Sequence, residues 1–415
     1  MRILEGARCN RFVRALERRA TTDFADVEST VRCIVNEVRK SGDRALSRYT
    51  ARWDGLSESQ PLRVPEAELQ QAWQQTSPEL QNAIHQAAAN IRRYCEWQKP
   101  QEWQREIEPG VCVGQLIRPL ESVGCYVPGG RYPLPSTLLM TVIPAQVAGV
   151  RQIRVVSPKP ASITLAAAGF LKVSEFYCVG GAQAIAALAY GTETIAPVTK
   201  IVGPGNRYVT AAKKSVAFDC AIEFLAGPTE AAVISERGDP ACIASDLVAQ
   251  GEHDPDALCV FITPARDLAK SVQKEVQTRT RQNPIARQSL TCRGAILLVA
   301  SLEEAIETAS RIAPEHLTVP AALVSAIRNA GSVFLDEFSP QAAGDYVSGP
   351  NHVLPTGAMA RVRGGLSVLD FVQIIACQSV SPQGIRQIAP AAIALAEAEG
   401  LRGHAESLRV RCSHA

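Results

Sequence analysis

Residues Ser122-Val123-Gly124-Cys125-Tyr126-Val127-Pro128-Gly129-Gly130 decide the fold of this chain. A short β-rich run ends in a glycine pair, and a helical run follows it through Val150. Outward from it the same pattern repeats, with β-rich residues 152–157, 175–179 and 200–202 each leading into an alanine-bearing helix, the last from about Asn206. Strands alternating with helices predict a parallel sheet with helices packed on its faces.

A second set of strands is read at residues 231–235, 259–263, 295–299 and 332–335, again with helices between. The expected class is therefore α/β, with two incomplete Rossmann-like parallel-sheet units and helical extensions at both ends. Residues 1–110 read as helical and polar: positions 27–38 and 79–97 repeat apolar residues at helical spacing, and Ser77-Pro78 has the form of a cap and first position. His85 falls on one of these helices as a structural residue. From about Gly364 the chain is expected to return to helix, alanine-rich over 388–405. A tail of about 50 residues is too small for a core of its own, so it should dock on another surface, a second subunit included.

Composition narrows the function. A chain of 415 residues implies two or three domains. Forty-three Lys and Arg against 41 Asp and Glu leave a net charge of only +2, which gives nucleic acid or an anionic membrane no electrostatic claim and leaves a small molecule as substrate. The longest apolar run is interrupted at Pro144, and the first 20 residues lack the apolar core of a secretory leader. Twelve scattered cysteines without Cys-x-x-Cys spacing read as reduced thiols of a cytoplasmic protein.

Three glycine loops end strands of the first unit: Tyr126 to Gly130, Gly180-Gly181-Ala182-Gln183 and Gly203-Pro204-Gly205-Asn206. Backbone amides at such strand-to-helix turns can meet a phosphate, although tight turns need glycine regardless. A Gly-x-Gly-x-x-Gly pattern is lacking in these loops, and no acidic residue stands at the usual spacing to hold a ribose.

The second unit holds a polar cluster. Gln250 and His253, three apart at a helix end, form either a ligand pair or a hydrogen-bonded helix terminus. Asp345 falls in an expected loop, as a ligand or a turn-forming residue, and His352 follows in the same stretch. Gln250, His253, Asp345 and His404 would make a mixed nitrogen and oxygen site suited to zinc. Glu315-His316 either carries two proton-transfer tasks or opens a helix after Pro314. His414 is expected to be solvated.

Taken in order, these motifs, together with Ala226-Gly227-Pro228-Thr229-Glu230, Gly344 to Pro355 and Gly365 to Phe371, resemble the histidinol dehydrogenase family over most of the chain. The resemblance implies oxidation of L-histidinol through L-histidinaldehyde to L-histidine with two NAD, and one Zn2+ per subunit held by Gln250, His253, Asp345 and His404. It implies NAD contacts from Tyr126, Gln183 and Asn206, substrate contacts from Thr229, His316, His352 and Glu399 besides the zinc ligands, and proton transfer by Glu315 and His316. It further implies a homodimer whose tail completes the partner's site. The expected division is residues 1–20 as an extension, 21–124 with 230–364 as the large domain, 125–229 as the NAD domain and 365–415 as the docking tail.

Some residues depart from the family's common pattern: the bulky Arg131-Tyr132-Pro133-Leu134-Pro135, Gly251 in place of alanine, and Thr229 where serine is frequent. Relatives acting on other small alcohols, such as sulfonated diols, share the fold. A zinc hydrolase is disfavoured by the missing His-Glu-x-x-His, and a non-catalytic relative by the presence of both Glu315 and His316.

Overall fold

The computed structural model describes residues 1–19, 24–57, 60–130 and 132–414, and contains two six-stranded sheets. Arg131 lies outside the described residues. The first sheet runs Arg63–Val64, Glu175–Tyr177, Gln152–Val156, Ser122–Tyr126, Lys200–Val202, Ala221–Ile222, and all its pairings are parallel except that of Arg63–Val64. Ser122–Tyr126 is buried at every position, as a central strand covered on both faces must be. The helix after it, Pro135–Ala148, is apolar on all sides because it too is enclosed.

The second sheet runs Arg2–Glu5, Ala295–Leu298, Leu258–Thr263, Glu230–Ile234, His316–Val319, Ser332–Leu335, parallel throughout. Two of its strands were not expected. Arg2–Glu5 is an edge strand, and the helix Gly6–Glu17 packs Cys9 and Val13 into this sheet's core. His316–Val319, where a helix start was one alternative, is an interior strand between Glu230–Ile234 and Ser332–Leu335.

Residues 25–98, expected with the large domain, pack on the first sheet instead. Val27, Val31 and Ile34 of helix Ala25–Asp54 share a core with Ile185 and Leu188, and Ile84 and Ile91 of helix Pro78–Gln98 share another with Leu138 and Val142. The apolar stripes of both helices match the aliphatic faces of the helices covering that sheet, and burial follows that match.

The tail differs from a purely helical reading. Val372–Val380 is a nine-residue strand antiparallel to Val111–Pro119, which pairs in turn with Trp103–Glu108, making a third sheet that is largely exposed. Helices Pro382–Ala398 and Arg402–His414 follow, divided near Gly400, which has a positive φ of 75°. Among the described residues no helix is long and apolar enough to cross a membrane.

Candidate functional site

The glycine loops lie at the carboxyl ends of the first sheet's strands, whereas Glu315, His316 and Glu230 lie where strands of the second sheet begin. Hydrogen bonds tie these two ends together. His352 Nε2 is 3.2 Å from Thr137 Oγ1 in the first turn of Pro135–Ala148, and the Gly227 amide donates to Thr356 Oγ1. A cleft of about 760 Å³ beside them is lined by Asn206, Gly227, Asp254, Glu230 and Thr356.

Helix Leu302–Ile312 ends at Ala313, whose φ of 51° turns the chain sharply into Pro314 and the strand beyond. Glu315 and His316 are thereby buried. Glu315 Oε2 accepts from the Glu230 amide at 3.0 Å and lies 3.8 Å from His316 Nδ1. His316 Nε2 is 3.4 Å from Asp345 Oδ1, and its ring stacks on Phe334 at 5.9 Å.

Asp345 is on the short helix Gln341–Tyr346 and not in a loop. Two features fix that helix. Gln341 Nε2 donates to Thr318 Oγ1 at 3.0 Å, and at Gly344 a Cβ would stand 2.6 Å from Phe334 Cε1, so only glycine permits this approach. Gln250, in the last turn of Pro240–Gly251, donates from Nε2 to Asp345 Oδ2 at 3.0 Å, leaving its own Oε1 buried without a partner. His253 is exposed just past that helix, within electrostatic reach of Asp345 and His352. His352 Nδ1 contacts the Asp345 carbonyl at 2.7 Å. Gly251 also has a reason: a methyl there would meet Ser289 Oγ at 2.9 Å, the hydroxyl that donates to the Gly251 carbonyl.

Electrostatics set the proton states. Burial pushes the Glu315 carboxyl up to about 8, against the nearby His316 charge and the Glu230 amide. Burial works to lower His316, but Glu315 and Asp345 outweigh it and hold the imidazole above its usual range. Burial would raise Asp345, yet its contact with His316 keeps that carboxylate low. His352 is held low by burial and stays neutral. The result is a buried acid and a buried imidazole whose proton affinities are both raised, 3.8 Å apart and without a hydrogen bond between them.

The expected metal ligands are only partly gathered. Gln250 and Asp345 touch and His253 is close, but His404 and Glu399 are exposed on the tail and make no hydrogen bond to the cluster among the described residues. Likewise, no group of three or more His, Cys, Asp or Glu side chains is arranged to hold a metal there. The donors present nevertheless fit zinc: an unpartnered buried amide oxygen beside a carboxylate held in its charged form, with an imidazole nearby. Thr229, half-buried, directly precedes Glu230.

On the first sheet, Tyr126 Oη accepts from the Gly181 amide at 3.1 Å, and Gln183 Nε2 donates to Asp54 Oδ2 at 3.3 Å. Asn206 caps helix Arg207–Val216 by accepting from the Tyr208 and Val209 amides. Its loop is pinned at Gly203, whose amide donates to Glu223 Oε1 while its carbonyl accepts from Lys213. Sequence reasoning missed Asp54, Gln341 and Phe334, and it quoted Glu230 only within a motif. Their sequence distance from the residues they serve left no local signal.

Two mainly parallel sheets, with a buried acid and imidazole on one and glycine loops at the strand ends of the other, define an α/β protein with an enzyme-like site. Comparison with known proteins narrows this. Residues 17–412 match the model of the family described as histidinol dehydrogenase. The chain is 46% identical to a histidinol dehydrogenase of Methanothermobacter thermautotrophicus, covering 97% of each chain, and 45% identical to one from Methanosarcina barkeri, covering 93% of this chain and 92% of that one. The crystal structure of histidinol dehydrogenase from Elizabethkingia anophelis superposes with a TM-score of 0.95 at 34% identity, covering 100% of this chain and 98% of that one. The chain belongs to the histidinol dehydrogenase family and is an oxidoreductase of histidine biosynthesis.

Proposed function

We propose that the protein catalyses the four-electron oxidation of L-histidinol through L-histidinaldehyde to L-histidine, with two NAD consumed and one Zn2+ bound per subunit. The observation that carries this reading is the Glu315, His316 and Asp345 chain, its first two members buried, in a fold that also carries glycine loops with Tyr126, Gln183 and Asn206. Gln250, His253, Asp345 and the partner's tail residue His404 would hold zinc, which when bound fixes the substrate's imidazole and amino nitrogens. NAD bound in the crevice of the first sheet, beside Tyr126, Gln183 and Asn206, would supply the hydride acceptor.

His316 takes the hydroxyl proton as the alcohol carbon loses its first hydride. Glu315, once ionised, takes a proton from the water that attacks the aldehyde while protonated His316 returns its proton to the aldehyde oxygen, and His316, neutral again, takes a hydroxyl proton of the resulting hydrate as the second hydride leaves. Asp345 keeps His316 oriented, and Thr229, His352 and Glu399 would contact the substrate. Burial of the dyad keeps bulk water from the aldehyde between steps.

A homodimer with shared sites agrees with the tail. Its helices and the turn between them leave Leu395, Leu401 and Val410 exposed, and its strand leaves Ile374 and Ile375 exposed, apolar side chains that a second subunit would cover. A cytoplasmic location agrees with the unpaired cysteines.

The test is NAD reduction by the purified zinc-loaded protein with L-histidinol. Two NADH per histidinol are expected. Turnover of another small alcohol in place of histidinol would overturn the substrate assignment.

A further inference from the structure

The loop after the strand Glu175–Tyr177 has the form of a phosphate cradle, but its amides are already engaged. The Gly180 amide donates to Asp54 Oδ2 at 3.1 Å, and the Gly181 amide donates to Tyr126 Oη at 3.1 Å. A carboxylate therefore occupies the N-terminus of helix Gly181–Tyr190, where a phosphate would otherwise find both donors and the helix dipole. A cofactor phosphate is excluded there by occupancy and by charge.

Asp54 comes from a different part of the chain, the last position of helix Ala25–Asp54. It is 9% exposed, and its Oδ2 also accepts from Gln183 Nε2 at 3.3 Å. The other oxygen, Oδ1, makes no hydrogen bond among the described residues. Gln183, 1% exposed, turns its own Oε1 back toward Gly181, buried and unpartnered. The corner thus offers two unpartnered acceptor oxygens, Asp54 Oδ1 and Gln183 Oε1, beside the Tyr126 hydroxyl and the Lys159 ammonium. Such a corner recognises hydroxyl groups.

Topology says which hydroxyls. The chemical end of the site abuts Thr137, on the helix that follows Ser122–Tyr126, through His352. Asp54 and Gln183 stand two strands away across the sheet, past Gln152–Val156, at Glu175–Tyr177. Strands spaced about 4.8 Å apart put that corner roughly 10 Å from the redox end before side chains are added. A dinucleotide with its nicotinamide at the catalytic cluster and its length along the strand ends brings its adenosine ribose to this corner.

We propose that Asp54 recognises the adenosine ribose hydroxyls and sets a preference for NAD over NADP; this rests on the dinucleotide crevice proposed above. It supplies from helix Ala25–Asp54 the acidic residue that is missing at the usual sequence spacing. Its carboxylate accepts from the hydroxyls and repels a 2′-phosphate in the same place. Lys159 opposes this in part. Its Nζ lies 3.7 Å from where a Cβ on Gly55 would stand, and its charge acts on Asp54, so the discrimination is the balance of the two.

The experiment is equilibrium binding of NAD and of NADP to the zinc-loaded protein and to Asp54→Asn and Lys159→Ala variants. Asp54→Asn keeps the shape and the acceptor for the Gly180 amide. It should weaken NAD about tenfold, the size of one charge-assisted hydrogen bond, without weakening NADP, so the ratio of the two constants shifts about tenfold toward NADP. Lys159→Ala should move the ratio the other way. Equal weakening of both dinucleotides by Asp54→Asn would mean that Asp54 only props Gln183, and would overturn the proposal. Should that variant fail to fold by circular dichroism, an unmoved ratio in Lys159→Ala overturns it instead. A parent protein that binds neither dinucleotide would be a different failure, that of the crevice itself.

Discussion

Gln250 Nε2 donates to Asp345 Oδ2 at 3.0 Å while Gln250 Oε1 is left buried and unpartnered. A buried amide oxygen without a donor costs roughly 1–3 kcal/mol unless something electropositive meets it. A bound cation meets that need, with the amide nitrogen steering the carboxylate. Gln250→Ala should therefore weaken zinc binding by about 10- to 100-fold, measured by competition with a chromophoric chelator. Unchanged zinc affinity would remove Gln250 from the ligand set.

Glu315 gives a pH signature. A base with its pKa at about 8 is mostly protonated at neutral pH, so oxidation of supplied histidinaldehyde should rise with pH and level off above about 8. Glu315→Gln should spare the first hydride transfer, remove that rise and slow aldehyde oxidation by about 100-fold or more. Equal loss in both half-reactions would sink the assignment of Glu315 to water activation.

The same residue links pH to stability. Its folded-state pKa lies above the ordinary 4.5, so the folded protein holds the extra proton. That contribution is complete below about 4.5 and is lost as pH rises toward 8. Glu315→Gln lacks the loss, so its Tm relative to the parent should climb across that window. A constant Tm difference would contradict the burial argument.

His404 is exposed on the tail, away from Gln250 and Asp345. If a partner's tail completes each site, inactive His404→Ala and inactive His253→Ala chains should restore activity when mixed, since one site in the heterodimer then carries both defects and the other carries neither. Verified heterodimers without recovered activity would argue for sites built within one chain.

Gly203 adopts φ 113°, and a Cβ there would stand 2.1 Å from the Tyr126 carbonyl oxygen. Gly203→Ala should destabilise the fold by more than about 1 kcal/mol and weaken NAD binding, because Tyr126 and the Asn206 loop must separate. Denaturant melts and NAD titration read the two effects. Retained stability would mean that the loop has slack.

Much of the architecture was legible because strand and helix periods alternate clearly over residues 122–216, and the glycine loops fall at the carboxyl ends of strands, as read. The short elements were not. His316–Val319 has four residues and too little pattern to separate it from a helix start. Val372–Val380 is exposed at most positions, so it carries no inward and outward alternation, and the alanine-rich stretch after it dominated the reading. Asp345 sits in a helix of only six residues after a proline, a setting that reads as a loop. Asp54 and Gln183 are 129 positions apart, and nothing local in either segment announces the other.

Arg2–Glu5 opens the chain yet pairs with Ala295–Leu298, and Arg19 forms a two-pronged ion pair with Glu230, the residue whose amide holds Glu315. Both contacts join segments remote in sequence, so the second sheet, unlike the first with its run of neighbouring strand and helix units, must close a long loop before its edge is complete. The support beneath the dyad is therefore made of long-range pairings, the kind that cost the most chain entropy to form.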